Sequence, residues 1–142
     1  MKLSIVFILL LLSGCSYGAN YIESESETDP VQLQINNGDQ EMSLRCLVSM
    51  AHYITHDPAV IAPNTVLTID LHRGTASNTL YFKRPDTPLM AIENIFCGHD
   101  SNWAETKYNL NLSALRSDGF NHLIINCDGD DSSLSCANTL TQ

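Results

Sequence analysis

The sequence predicts an all-β domain, an antiparallel β-sandwich of about seven short strands with two disulfides. Three observations carry that expectation. Apolar and polar residues alternate through most of the chain after residue 30. Asn, Gly, Pro and Asp clusters interrupt the alternation about every 8–12 residues. Four cysteines, Cys46, Cys97, Cys127 and Cys136, are spread across the same region.

Val31, Leu33 and Ile35 alternate with Gln32, Gln34 and Asn36, the period of a strand with one buried face. Asn36-Asn37-Gly38-Asp39 supplies turn chemistry, since Asn and Gly tolerate positive φ. From Met42 to Ile54 the alternation is longer, with Leu44, Cys46, Val48, Met50, His52 and Ile54 on one face. Leu44, Leu47, Val48, Ala51 and Ile54 also fit a helical period, but the alternating face has no strongly polar member, which favours one long strand. Pro58 and Pro63-Asn64 bracket a loop, Val66–Leu71 reads as a strand, Gly74–Asn78 as a turn, and Leu80–Phe82 as the returning strand. Met90–Cys97 follows two prolines; Tyr108, Leu110 and Leu112 again show strand spacing, with Leu115 and Arg116 ending that element in a turn. His122–Cys127 reads as a short, fully buried strand. Cys127 and Cys136 flank a turn-rich segment, so their pairing would leave Cys46 to pair with Cys97.

The N-terminus carries a different kind of signal. Lys2 precedes an apolar run, Leu3–Leu12, too short to span a bilayer, which needs about 20 residues in a helix. It ends in Leu12-Ser13-Gly14-Cys15, which resembles the lipobox of bacterial lipoproteins. The resemblance implies cleavage before Cys15, a lipid on its thiol, and, with Ser16 rather than Asp following, passage to the outer membrane, facing the periplasm or the surface. Ordinary cleavage near Gly18-Ala19 is the competing reading. Residues 1–14 are then the signal peptide, and 15–29 the lipidated Cys15 with a tether of Glu23, Glu25, Glu27 and Asp29 among Ser and Thr. The sandwich domain takes 30–142.

The chain is acidic, 16 Asp and Glu against 7 Lys and Arg. That excludes a nucleic-acid partner, which requires clustered cations to displace counterions, and a polybasic membrane contact. Contact with the membrane is expected through the lipid on Cys15 alone.

Chemical constellations are weak. His52 and His56 have the spacing of two metal ligands on a helix, but on a strand they lie about 13 Å apart. Cys97-Gly98-His99-Asp100 places a thiol, a base and a carboxylate side by side, whereas catalytic triads converge from distant segments. Asp128, Asp130 and Ser132 begin a calcium-loop count that fails at Ser133 and Thr139; Asp128, Asp130 and Asp131 remain as a weak calcium candidate. Trp103, Tyr108 and Phe120 offer either an aromatic platform or core. Asn111-Leu112-Ser113 matches a glycosylation acceptor that has no use in a bacterium.

No catalytic residue and no cofactor is assigned. The expectation is a non-enzymatic, lipid-anchored envelope binding module, an accessory subunit of a membrane or cell-surface assembly with a protein partner in the envelope. The alternatives are an inhibitor of an external lysozyme- or protease-like hydrolase, and a metal-binding protein or enzyme using His52, His56, His99 or the Asp128–Asp131 turn.

Overall fold

The computed structural model describes residues 27–139; Cys15, the whole lipobox and the tether up to residue 26 lie outside them. The strands are β1 (Thr28–Asn37), β2 (Leu44–Met50), β3 (Ile54–His56), β4 (Val60–Ile61), β5 (Val66–Gly74), β6 (Leu80–Phe82), β7 (Met90–His99), β8 (Tyr108–Asn109), β9 (His122–Asp130) and β10 (Ser133–Thr139). One helical turn, α1 (Trp103–Thr106), follows β7. They form a single hydrogen-bonded path, β10-β9-β1-β5-β6-β7-β2-β3, with β4 on β2 and β8 on β7.

The domain is β-rich with two disulfides, but it is not an antiparallel sandwich of seven strands. Ten strands are present among the described residues, and β1 pairs with β9 in parallel. A parallel neighbour needs a long crossover. Everything from β2 to β8 serves as that crossover, so β9 arrives beside β1 running the same way. Strand β1 already begins at Thr28, which faces Gly74, so the last two tether residues belong to the sheet.

The alternation in the sequence maps onto burial. Val31, Leu33 and Ile35 of β1, Leu44, Cys46, Val48 and Met50 of β2, and Leu123, Ile125 and Cys127 of β9 all point into one core. Strand β9 is not fully buried as expected, because only alternate residues turn inward and Asn126 is exposed. The long Met42–Ile54 strand does not form. Met50 is its last inward residue, and a tight turn at Ala51–Tyr53 sends β3 back along β2. Of the strand expected through Tyr108, Leu110 and Leu112, only Tyr108–Asn109 is extended; Leu110 and Leu112 are buried from irregular backbone, with Leu115 beside them in the core. Asn36-Asn37-Gly38 makes no positive-φ turn; among the described residues positive φ occurs at His52, Tyr53, Asn64, Asn78 and Gly119. Asn37 instead carries the chain from β1 across to β2.

Strand β7 links the two parts of the path. Its first residues pair with β6, and Ile92–His99 pair with β2. The register slips at Ser49/Met50, which face Asn94 and Ile92, so Glu93 is left without a partner and exposed. This bulge keeps Ile92 and Ile95 both inside despite their odd spacing, and it bends the strand.

Both disulfides join residues directly opposite each other on neighbouring strands. Cys46 faces Cys97 across β2 and β7, and Cys127 faces Cys136 across β9 and β10. Each pair has a Cα separation of 4.1 Å. Such close approach suits the non-hydrogen-bonded positions of an antiparallel ladder, where side chains lie nearest.

Register defines two poles. Met50 faces Ile92, Ala91 faces Tyr81, Leu80 faces Arg73, and Gly74 faces Thr28. The β2–β3 turn therefore shares one pole with the point where the chain enters β1. Leu44 faces His99 and Ile61, while Asn37 faces Cys127, at the opposite pole.

Candidate functional site

The pole away from the chain entry is built around three buried polar residues. Asn37 Nδ2 donates to the carbonyls of Met42, Ile61 and Ala62 at 2.8, 3.1 and 3.2 Å, and its Oδ1 accepts from the Asp39 N–H. Asp39 Oδ1 accepts from the N–H groups of Glu41 and Met42. Those backbone donors, assisted by the nearby His99, hold the Asp39 carboxyl below the usual aspartate value, against the opposing effect of burial. His99 is fully buried, its Nε2 3.7 Å from Asp39 Oδ2, with neither ring nitrogen hydrogen-bonded among the described residues. Its backbone N–H donates to Thr106 Oγ1 of α1. The arrangement fastens the β1–β2 crossover to β4 and β7; it is a lock rather than a reactive centre.

The residues singled out in the sequence are dispersed. Cys97 is bonded to Cys46, and His99 turns inward to Asp39, so Cys97, His99 and Asp100 form no catalytic group. His52 sits in the β2–β3 turn, whereas the His56 ring packs against Phe82 with centroids 5.0 Å apart. Among the described residues no three His, Cys, Asp or Glu side chains gather where they could hold a metal ion, the Asp128, Asp130 and Asp131 turn included. Asp130 Oδ1 accepts from the N–H and Oγ groups of Ser132 and Ser133, and these bonds, led by the Ser132 N–H, lower its pKa. The carboxylate shapes the β9–β10 turn. Trp103 Nε1 donates to the Arg45 carbonyl, and Lys107 Nζ lies 4.1 Å from the Phe96 centroid and 5.2 Å from that of Trp103. Tyr108 pairs with Cys97 on β8, and Phe120 lends its carbonyl to buried Arg73. The three aromatics make no common platform. Asn111 Oδ1 accepts from Ser113 N–H beside buried Leu112.

The β2–β3 turn was not legible from the sequence. His52 and Tyr53 both have positive φ, 66° and 60°. Turns of this handedness match the twist of a two-stranded hairpin but favour Asn-Gly; a bulky side chain there costs about 1–3 kcal/mol per residue. Tyr53 is 97% exposed. A strained backbone thus presents an aromatic side chain wholly to solvent.

Comparison with protein families, characterised proteins and solved structures returns no match for this chain. The site must therefore be read from its own chemistry.

The outer face of β5, β1, β9 and β10 is the other distinctive surface. Gln34 Nε2 donates to Asn36 Oδ1, Asn36 Nδ2 to Asn126 Oδ1, and Asn126 Nδ2 to Thr139 Oγ1, a chain of bonds across three strands. At its end nearer the chain entry is a hollow of about 370 Å³ lined by Pro30, Gln32, Asp70, His72, Asn121 and His122, with Val31 and Leu71 beneath. Gln32 Nε2 donates to Asp70 Oδ1 at 3.0 Å. None of these lining residues was marked by motif or spacing. They gather only because parallel β9 brings His122 beside Gln32, whose other neighbour is Asp70.

Proposed function

We propose that this protein is a lipid-anchored envelope binding module, an accessory subunit that contacts a protein partner in a membrane or cell-surface assembly. The exposed, strained Tyr53 is the observation that carries the reading. Strain of this kind persists only where the surrounding structure enforces it, and tyrosine combines a large apolar area with a polar tip, as interface anchors do. The turn lies at the pole where the chain from Cys15 enters the domain. From Cys15 to Glu27 the chain reaches about 40 Å at most, so a lipid on Cys15 would keep Tyr53 within reach of a membrane-held partner. The two disulfides and the β-rich domain suit the oxidising side of that membrane.

Crosslinking the full-length protein in native membranes and recovering it with its neighbours tests this reading. Replacing His52-Tyr53 by Asn-Gly is expected to raise stability by about 1–2 kcal/mol, because the new residues adopt positive φ with less strain. The same change should remove the crosslinked partner. Unchanged capture by the stabilised variant would place the contact elsewhere.

A second reading, inhibition of an external hydrolase, rests on the opposite pole. Glu41, Asp100, Glu105 and Asp131 in its connections and Asp128 near the end of β9 are all exposed, a charge pattern suited to a basic lysozyme-like target. Full residual activity of lysozyme and of proteases at micromolar excess of the purified protein would dismiss it.

A further inference from the structure

We propose that the hollow over Pro30 binds an uncharged saccharide, one sugar ring seated between β5 and the start of β9. This goes beyond the protein contact at Tyr53 and uses a different face. Sugar hydroxyls both donate and accept, so a site for them needs both kinds of group in a small space. The lining supplies them. Asp70 is an acceptor held in place by Gln32; Gln32 and Asn121 have amide side chains; His72 lies 3.4 Å through Nδ1 from Thr28 Oγ1. His122 Nε2 is buried, with no hydrogen-bond partner among the described residues. That atom is closed off from solvent, and the rest of the half-buried His122 ring lines the hollow beside Asn121. Pro30 fixes the shape of the floor. It stands opposite His72 in the register, and its compact ring leaves room where a longer side chain would fill the hollow. That ring also offers an apolar surface to the C–H side of a sugar.

Charge decides the class of saccharide. No Lys or Arg lines the hollow, and Asp70 would repel a carboxylate or phosphate. The volume, about 370 Å³, lies at the small end of ligand pockets and suits one ring rather than several. Further rings of a longer glycan would pass over the Gln34–Asn36–Asn126 amides, which are aligned by their own bonds.

The test is a titration of the full-length protein in detergent with maltotriose, cellotriose and triacetylchitotriose, and with trigalacturonate as the anionic comparison. Histidine ring NMR signals report the site directly. At least one neutral trisaccharide should shift the His72 and His122 signals saturably by about 10 mM, and Gln32→Ala should weaken that binding about tenfold. Gln32 is exposed, so the melting temperature of the variant should stay unchanged and separate lost binding from lost folding. No response to any of the three neutral sugars, an undiminished response in Gln32→Ala, or tighter binding of trigalacturonate would each overturn the assignment. None of these outcomes depends on the Tyr53 partner, whose capture is read separately.

Discussion

Replacing Asn37 by alanine is expected to destabilise the domain by about 3 kcal/mol, lowering the melting temperature by roughly 10 °C. Asn37 is buried and bonded to three carbonyls and one N–H, all from backbone that links β1 to β2 and β4. Alanine leaves those groups unpaired in a place water does not reach, and it is the unsatisfied groups, rather than the lost bonds, that dominate the cost. Thermal or urea unfolding of the variant measures it; a loss under 1 kcal/mol would mean that the crossover holds without its lock. The neighbouring Asp39 adds a pH dependence whose sign is fixed. Its folded pKa lies below the ordinary 3.8, so its contribution is complete above that value and disappears as the pH falls through the lower, folded one. Asp39→Asn should therefore flatten the acid limb of the stability curve while leaving the variant less stable near neutrality.

The second large effect concerns the disulfides. Removing Cys46 and Cys97 together, as alanines, should cost about 4 kcal/mol under the chain-entropy account, whereas removing Cys127 and Cys136 should cost about 2–3 kcal/mol. The separations are 51 and 9 residues. The first bridge ties strands that no short turn connects, while the second closes a hairpin that the Asp130 turn already directs. Denaturant midpoints of the two double variants should rank in that order. The reverse ranking would show that residual structure in the unfolded chain, not loop length, controls the contribution of each bridge.

What could be read from the sequence followed from short-range periodicity. The inward residues of β1 and β2 and the β-rich class derive from alternation that any strand imposes on its two faces, whereas the apolar run in β9 concealed the outward face that Asn126 shows. The opposed cysteines lie at inward positions of that same alternation. What could not be read required contacts between distant segments. Asn37 looked like a turn residue because its composition suits turns, yet its amide is spent on backbone from β4 and the β1–β2 loop. Asp39 and His99 carry no shared motif and meet only because β7 ends where the crossover begins. The break at Ala51–Tyr53 was invisible for another reason: it lacks the Asn-Gly type of turn signal, and the bulky Tyr53 takes positive φ against its local preference. The hollow over Pro30 depends on a parallel pairing, and no local pattern encodes the direction of a neighbouring strand.

That parallel pairing also sets the order of events when the chain folds. Asn36 bonds to Asn126, ninety positions later, so β1 waits with one edge open until β9 arrives. Contacts of such long range make folding slow, and an unpaired strand edge recruits other chains. Truncation before β9 should therefore yield a protein that aggregates rather than a smaller folded one, because its earliest strand would never find its last neighbour.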